Sequence, residues 1–304
     1  MAKRKPTYRV RPGPDRQVRP RPERPRPEKT ERDRAPAEGD RPQHRPRRPH
    51  AALAEGDLRL FGPHAVLAAL ANRARPGRRL LLTEEVQRAL GTRLEAALAA
   101  GNKAGLPREI MSRGEIDRLL PPGTVHQGLL FEAGPLPELA LDDICRAAEG
   151  RPRALLLALD QVTDPQNVGA TLRAAAAFGA LGVIVTERHA PTATGALAKA
   201  ASGALERVAL IRVVNLARAL DELKEAGFWC AGLDAGATER LDAVRLDDRL
   251  ALVLGAEGHG LRRLTRERCD RVLRIPMAES GVESLNVATA AAIALYEYMR
   301  GAGG

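Results

Sequence analysis

From Arg153 onward, apolar and polar positions fall into two repeating kinds of block. Six short runs are mainly apolar: Ala154–Leu159, Gly182–Thr186, Ala209–Val213, Phe228–Leu233, Leu250–Leu254 and Arg271–Ile275, the last with two arginines. A strand with one face in water alternates, whereas a strand covered on both faces does not. The runs therefore predict a parallel sheet with helices on both sides. Helical segments lie between most of them, and Asn286–Arg300 reads as a further, largely apolar helix (Ala288, Ala291, Ile293, Ala294). This is the pattern of an α/β domain.

A smaller unit of the same class is predicted over residues 57–133. Leu60-Phe-Gly-Pro-His-Ala-Val-Leu-Ala-Ala-Leu70 opens with a Gly-Pro turn and continues at helical spacing through Val66, Leu67 and Leu70. Leu80–Thr83 reads as a short buried strand, and Glu84–Ala100 as a helix stopped by Gly101. Arg108–Met111 reads as a strand, Ser112 as the cap of a short helix, and Val125–Phe131 as a closing strand. Residues 134–153 carry Gly-Pro, Leu-Pro and Arg-Pro breaks around one short helix and read as a linker.

Charge changes the picture of the first fifty residues. They hold 17 Lys+Arg against 7 Asp+Glu, while the rest of the chain holds 31 against 31, so the whole net charge of +10 lies there. They also hold 11 of the 22 prolines. Proline lacks the N–H donor of a helix, and few apolar side chains are present to offset ordering entropy, so residues 1–56 are expected to be disordered with polyproline II character. An arginine-rich arm gives salt-dependent affinity for a polyanion; a merely solubilising extension has the same composition. The segment has no apolar core of a secretory signal, and no run of about 18 apolar residues predicts a membrane span. Cys145, Cys230 and Cys269 are far apart, odd in number and without metal-site spacing to histidines. The expectation is reduced structural thiols, no metal, and a cytoplasmic protein.

Three segments follow predicted strands and carry polar chemistry. Asn167-Val-Gly-Ala-Thr-Leu-Arg173 lies behind Asp164-Pro165, which reads as an N-cap and first helical residue. Leu254-Gly-Ala-Glu-Gly-His-Gly-Leu261 gathers three glycines around Glu257. It matches neither the P-loop nor the dinucleotide fingerprint, and an acid in the turn repels phosphate and suits a hydroxyl or amide. Ile275-Pro-Met-Ala-Glu-Ser-Gly-Val-Glu-Ser-Leu-Asn-Val287 leads into the last helix, with no single N-cap standing out between Ser284 and Asn286. Each segment alone also reads as a capped helix or a tight turn. Together they bring Asn, Arg, Glu, Ser and Asn to the strand ends, where α/β folds bind ligands.

In this order and spacing the three segments resemble the signature motifs of the SpoU/TrmH class of the SPOUT superfamily of RNA 2'-O-methyltransferases. Leu159 through Arg173 and Met277 through Val287 are most similar to the bacterial 23S rRNA guanosine 2'-O-methyltransferase branch. Residues 57–133 resemble the ribosomal-protein-L30e-like RNA-binding domain that often precedes the SPOUT catalytic domain, here 154–304. The resemblance implies a C-terminal trefoil knot, a homodimer, and S-adenosylmethionine as cofactor. It implies cofactor contacts from Leu254, Gly255, Ala256, Gly260, Ile275, Met277, Ser284 and Leu285. It implies a catalytic role for Arg173, with Asn167, Glu257, Ser284 and Asn286 positioning the ribose and holding that arginine. Arginine is always protonated, so a cation that stabilises a developing alkoxide or clamps the neighbouring phosphate is easier than a literal base. Two departures stand out: His259, where many relatives are acidic or polar, and Glu283 beside Ser284. The alternatives are tRNA or another rRNA site as substrate, and a non-catalytic RNA-binding assembly factor; the full N-terminal domain favours rRNA, and the intact residue set disfavours the last. Aromatic residues are 3% of the chain, and Phe61, Trp229 and Tyr296 read as core rather than as base-stacking platforms.

Deleting residues 1–50 is expected to weaken RNA binding and flatten its dependence on salt. An unchanged slope of log affinity against log salt would rule out contact between the arm and RNA.

Overall fold

The computed structural model describes residues 53, 56–188, 194–278 and 284–301. The segment 1–56 expected to be disordered, apart from residues 53 and 56, and Glu283 lie outside the described residues. So does part of the path of the implied knot, residues 279–283.

The N-terminal unit contains β1 (Leu58–Phe61), α1 (Pro63–Ala71), β2 (Gly77–Leu82), α2 (Glu84–Ala100), β3 (Arg108–Ile110), α3 (Arg113–Asp117) and β4 (Leu129–Ala133). Its four-stranded sheet has the order β1-β4-β2-β3, with β4 antiparallel to both neighbours and β2 parallel to β3. Local chemistry sets the helix limits. Thr83 accepts the Val86 N–H at the start of α2, and Ser112 and Glu115 form a capping box on α3. Gly101 ends α2 where a Cβ would meet the Leu70 carbonyl oxygen at 1.8 Å, so the ends of α1 and α2 approach backbone to backbone.

Two expectations shift here. The strand β1 is not apparent from its pattern, because its apolar residues are cut short by the Gly-Pro turn; it exists by pairing Leu58–Phe61 against β4. The closing strand begins at Leu129 rather than Val125. Residues 125–128 form a turn with Gln127 at φ 55 and Gly128 at φ 75, and Val125 is 60% exposed. The buried His126 ring holds that turn, accepting the Gly128 N–H on Nδ1 and pairing through Nε2 with Asp117 at 3.0 Å.

The second unit begins with α4 (Leu141–Ala148), the short helix of the expected linker, whose Leu141, Ile144 and Ala148 are buried in a core shared with Leu156, Leu220 and Val253. It continues through β5 (Ala154–Asp160), α5 (Pro165–Ala177), β6 (Gly182–Thr186), α6 (Gly195–Ala201), β7 (Ala209–Val213), α7 (Leu216–Glu225), β8 (Trp229–Leu233), β9 (Glu239–Arg240), β10 (Arg249–Gly255), α8 (Arg263–Arg268), β11 (Arg271–Arg274) and α9 (Val287–Arg300). The seven-stranded sheet is parallel throughout, in the order β7-β6-β5-β10-β8-β11-β9. All the predicted long strands are present; the two-residue edge strand β9 carries no apolar signal. Strand register aligns the strand ends: Gly255 pairs with Asp160, and Leu254 and Leu273 both pair with Leu233. The loops after β5, β8, β10 and β11 therefore leave the sheet at one end and at one height.

Of the three aromatic residues assigned to the core, only Phe61 is buried. Trp229 is 49% exposed and Tyr296 is 60% exposed. Trp229 opens β8 at the rim of the sheet, and Tyr296 lies on the outer side of α9, whose inner side is Val287, Ala291, Ala294, Leu295 and Tyr298.

The two units share one apolar core that runs from Leu60, Val66 and Phe131 to Leu197, Ala198 and Leu205. A buried ion pair crosses the same boundary. Glu206 accepts from Arg75 Nη2 at 2.6 Å and from Asn72 Nδ2 at 2.7 Å, and Arg75 Nη1 donates to the Gly134 carbonyl at 3.1 Å. The Arg75 and Glu206 side chains are 1% and 4% exposed. Such a pair adds little net stability over an apolar one, but removing a single partner strands the other. Glu206→Ala is expected to lower stability by about 3–5 kcal/mol, whereas Arg75→Met combined with Glu206→Leu costs less. Denaturant midpoints of the two variants test this; equal midpoints would show that the stranded charge is not the cause.

Candidate active site

The first loop leaves β5 at Asp160, turns at Gln161 (φ 60), and enters α5 through Asp164. The Asp164 carboxylate accepts the N–H groups of Gln166 (3.1 Å) and Asn167 (3.3 Å), with Pro165 at the first helical position. This cap places Asn167 in the first turn, at the sheet end.

The second loop folds back on itself as soon as it leaves β10. Gly260 N–H donates to the Ala256 carbonyl at 3.0 Å, and Gly258 and Gly260 take φ 80 and 63. A Cβ on Gly255 would lie 2.1 Å from the Gly260 carbonyl carbon, so only glycine fits. The exit of the turn is clamped by Asp160, a buried carboxylate that accepts from the Arg262 main-chain N–H (3.0 Å) and Nε (2.6 Å). Glu257 stands at the apex.

The third loop enters α9 through Asn286, whose Oδ1 accepts from Ala288 N–H (2.9 Å) and Thr289 N–H (3.4 Å). Asn286 is thus the single N-cap that the sequence left open among its polar neighbours.

These loops meet at one atom. Glu257 Oε1 accepts from Asn167 Nδ2 (3.1 Å), Asn286 Nδ2 (2.6 Å) and Val287 N–H (3.4 Å), and Asn286 Nδ2 also donates to Asn167 Oδ1 at 2.8 Å. The carboxylate lies at the N-terminal ends of both α5 and α9, where helix dipoles favour negative charge. Glu257 Oε2 has no hydrogen bond among the described residues.

Beside this cluster is a cavity of about 350 Å³. Leu254, Gly255, Ala256, Gly260, Ile275, Met277, Ser284 and Leu285 all line it, as do Glu257, Val287 and Ala290. Sequence reasoning missed one wall, Leu233-Asp234-Ala235, although a polar residue directly behind a predicted parallel strand is the signal that finds it. Arg173 is not in the cluster. It is exposed on α5 and makes no hydrogen bond or ion pair among the described residues; Glu257 Oε1 is taken by the two asparagines, and no bond joins the open Oε2 to Arg173. Ser284 lines the cavity but likewise does not hold Arg173. His259 is exposed at the cavity wall. The thiols of Cys230 and Cys269 are free and, by burial first and the nearby Asp270 carboxylate second, pushed up to about 12.

Residues 154–296 match the SpoU rRNA Methylase family, and residues 59–139 match the family described as RNA 2'-O ribose methyltransferase substrate binding. The 23S rRNA (guanosine-2'-O-)-methyltransferase RlmB of Pasteurella multocida (strain Pm70) is 41% identical over 242 residues, which are 79% of this chain and 97% of the relative. The chain belongs to the SpoU rRNA methylase family. A Burkholderia RlmB is 50% identical over 176 residues, covering 58% of this chain and 70% of that SpoU relative. Among solved SpoU structures, the methyltransferase AviRb from Streptomyces viridochromogenes, in complex with the cofactor AdoMet, superposes with a TM-score of 0.67 at 25% identity over 81% of this chain and 90% of its own. A putative RNA methyltransferase of the TrmH family from Porphyromonas gingivalis superposes with a TM-score of 0.64 at 26% identity over 81% and 90%.

Gly255→Ala is expected to force the 255–260 turn open and to cost about 1–3 kcal/mol. A lower melting temperature with faster amide exchange confined to the turn is the expected result; native exchange in the turn would refute the close-packing argument.

Proposed function

We propose that this protein transfers a methyl group from S-adenosylmethionine to the ribose 2'-oxygen of a guanosine in 23S rRNA. The observation that carries the reading is the meeting of three separate loops at Glu257 beside a cavity lined by residues behind β8, β10 and β11, in a chain aligned with nearly the full length of RlmB relatives. The cavity suits the cofactor: Leu233, Leu254, Ile275, Leu285 and Val287 offer an apolar bed for adenine, and the glycine-rich turn offers bare backbone groups. When bound, the cofactor supplies a methyl group electrophilic enough to need no metal.

What the chain must add is an activated 2'-hydroxyl, since a neutral alcohol is a weak nucleophile. Glu257 and the two asparagines act as a rigid polar wall. The open Oε2 of Glu257 accepts a hydrogen bond from a ribose hydroxyl, and Ser284 supplies a donor and acceptor at the cavity mouth. A 2'-hydroxyl both donates and accepts, so this wall favours RNA over DNA. Arg173 serves as the free cation: it clamps the phosphate beside the target ribose, that phosphate takes the 2'-hydroxyl proton, and the guanidinium stabilises the negative charge developing on the 2'-oxygen as it attacks the methyl carbon. The N-terminal unit, fixed to the catalytic one through Glu206, supplies the RNA-docking surface. The active form is a homodimer in the cytoplasm; Ile293 (38% exposed), Tyr296 (60%) and Met299 (44%) form an apolar stripe along the outer side of α9 that a second copy would cover.

The purified protein, incubated with labelled S-adenosylmethionine and protein-free 23S rRNA, is expected to place label in 2'-O-methylguanosine, read by mass spectrometry of the digested RNA. Label in another 2'-O-methyl nucleoside would change the target and keep the chemistry. Silence on rRNA, precursor subunits and tRNA would favour a non-catalytic assembly factor. Arg173→Ala is expected to lower transfer by roughly 10²–10³-fold with RNA binding retained; undiminished transfer would remove Arg173 from the reaction.

A further inference from the structure

Two carboxylates face the cavity, and they are held in different ways. Glu257 is bound by donors from the two helix starts. Asp234, the residue directly behind β8, is fixed from the opposite side. Its Oδ1 accepts the Gly236 N–H at 2.8 Å, and its Oδ2 pairs with the Arg266 guanidinium of α8. Its main chain is tied down as well, with its N–H donating to the Leu273 carbonyl (3.0 Å) and its carbonyl accepting from Ala237 N–H (3.1 Å). The side chain keeps 20% of its exposure and lines the cavity.

This carboxylate has unused capacity and a defined neighbour. A carboxylate offers about four acceptor positions, and the described residues fill two of them. Directly before it, Leu233 pairs in register with Leu254, and both line the apolar part of the cavity. Across the gap, Gly260 carries no side chain to screen the carboxylate; a Cβ there would meet Asp234 Oδ2 at 3.9 Å as its nearest neighbour. An adenine resting on Leu233 and Leu254 would leave its ribose in the same cavity that Asp234 lines. Arg266 already neutralises the carboxylate, so a second cation gains little there, whereas hydroxyl donors meet no opposing charge.

We propose that Asp234 is the acceptor for the ribose hydroxyls of the cofactor, held in place for that task by Arg266. The assignment rests on the methyltransferase reading. It makes Asp234 a binding residue: substrate and product cofactor share the same ribose, so its hydrogen bonds strengthen binding of both alike.

The test is calorimetric titration of the full chain with S-adenosylhomocysteine and with its 2'- and 3'-deoxyribose analogues. Wild type is expected to bind S-adenosylhomocysteine and to lose roughly 10- to 100-fold in affinity when a contacted hydroxyl is removed, the range for hydrogen bonds to a charged group. Asp234→Ala is expected to lose a similar factor for the parent ligand and then to bind parent and deoxy forms equally. Asp234→Asn, which preserves volume, is titrated in the same way and is expected to show reduced discrimination. An Asp234→Ala protein that binds the parent as wild type does, or that still discriminates against the deoxy forms, overturns the proposal and leaves the methyltransferase reading intact. A folded wild type that does not bind S-adenosylhomocysteine overturns both.

Discussion

Glu257 Oε1 receives donors from Asn167, Asn286 and the first amide of α9, and the geometry of the site depends on that convergence. Three loops with no helix or sheet hydrogen bonds among them are free to lie in many arrangements. A charged acceptor shared by three donors selects one, because charge-assisted hydrogen bonds are the stronger kind. The two helix ends add a favourable field at the same point. The cavity wall is therefore electrostatic in origin, although the cavity floor is apolar.

That convergence is possible only because the sheet delivers the loops to the same height. The pairing of Gly255 with Asp160 and of Leu254 with Leu233 makes the ends of β5, β10 and β8 coincide, and the buried Asp160 carboxylate, paired with the exposed Arg262, then closes the glycine turn from below. A slip of one residue in β10 would turn its apolar side chains to the other face and carry Glu257 away from both asparagines. Core packing and site geometry are thus the same constraint viewed at two scales.

The strands of the catalytic unit were legible because burial on both faces removes alternation, which leaves an unmistakable apolar run. Legibility failed where pairing, not pattern, makes the strand: β1 is defined by β4, and the start of β4 is displaced by a turn built on His126. Trp229 and Tyr296 were misassigned because hydrophobicity reports what a side chain tolerates and not which side of an element it occupies. At the site, the eight cavity residues came from motif resemblance. Asp234 did not, since its one signal, a polar residue directly behind a predicted parallel strand, lies outside the three motifs. The triad of Asn167, Glu257 and Asn286 has members 90 and 29 residues apart, and no local signal encodes a contact of that separation.

The same separation bears on how the protein comes into being. During synthesis the sheet strands through β10 can assemble while the chain is still growing, and domains generally fold as units in that direction. Asn286 and the first amide of α9 reach the cluster only after a further stretch of chain has been made. Until then Glu257 holds a charge with one of its three donors, and the cavity lacks the wall that Ser284, Leu285 and Val287 provide. A chain made only as far as β10 therefore lacks the third donor loop and one wall of the cavity, and the site is complete only once the residues through Val287 have been made.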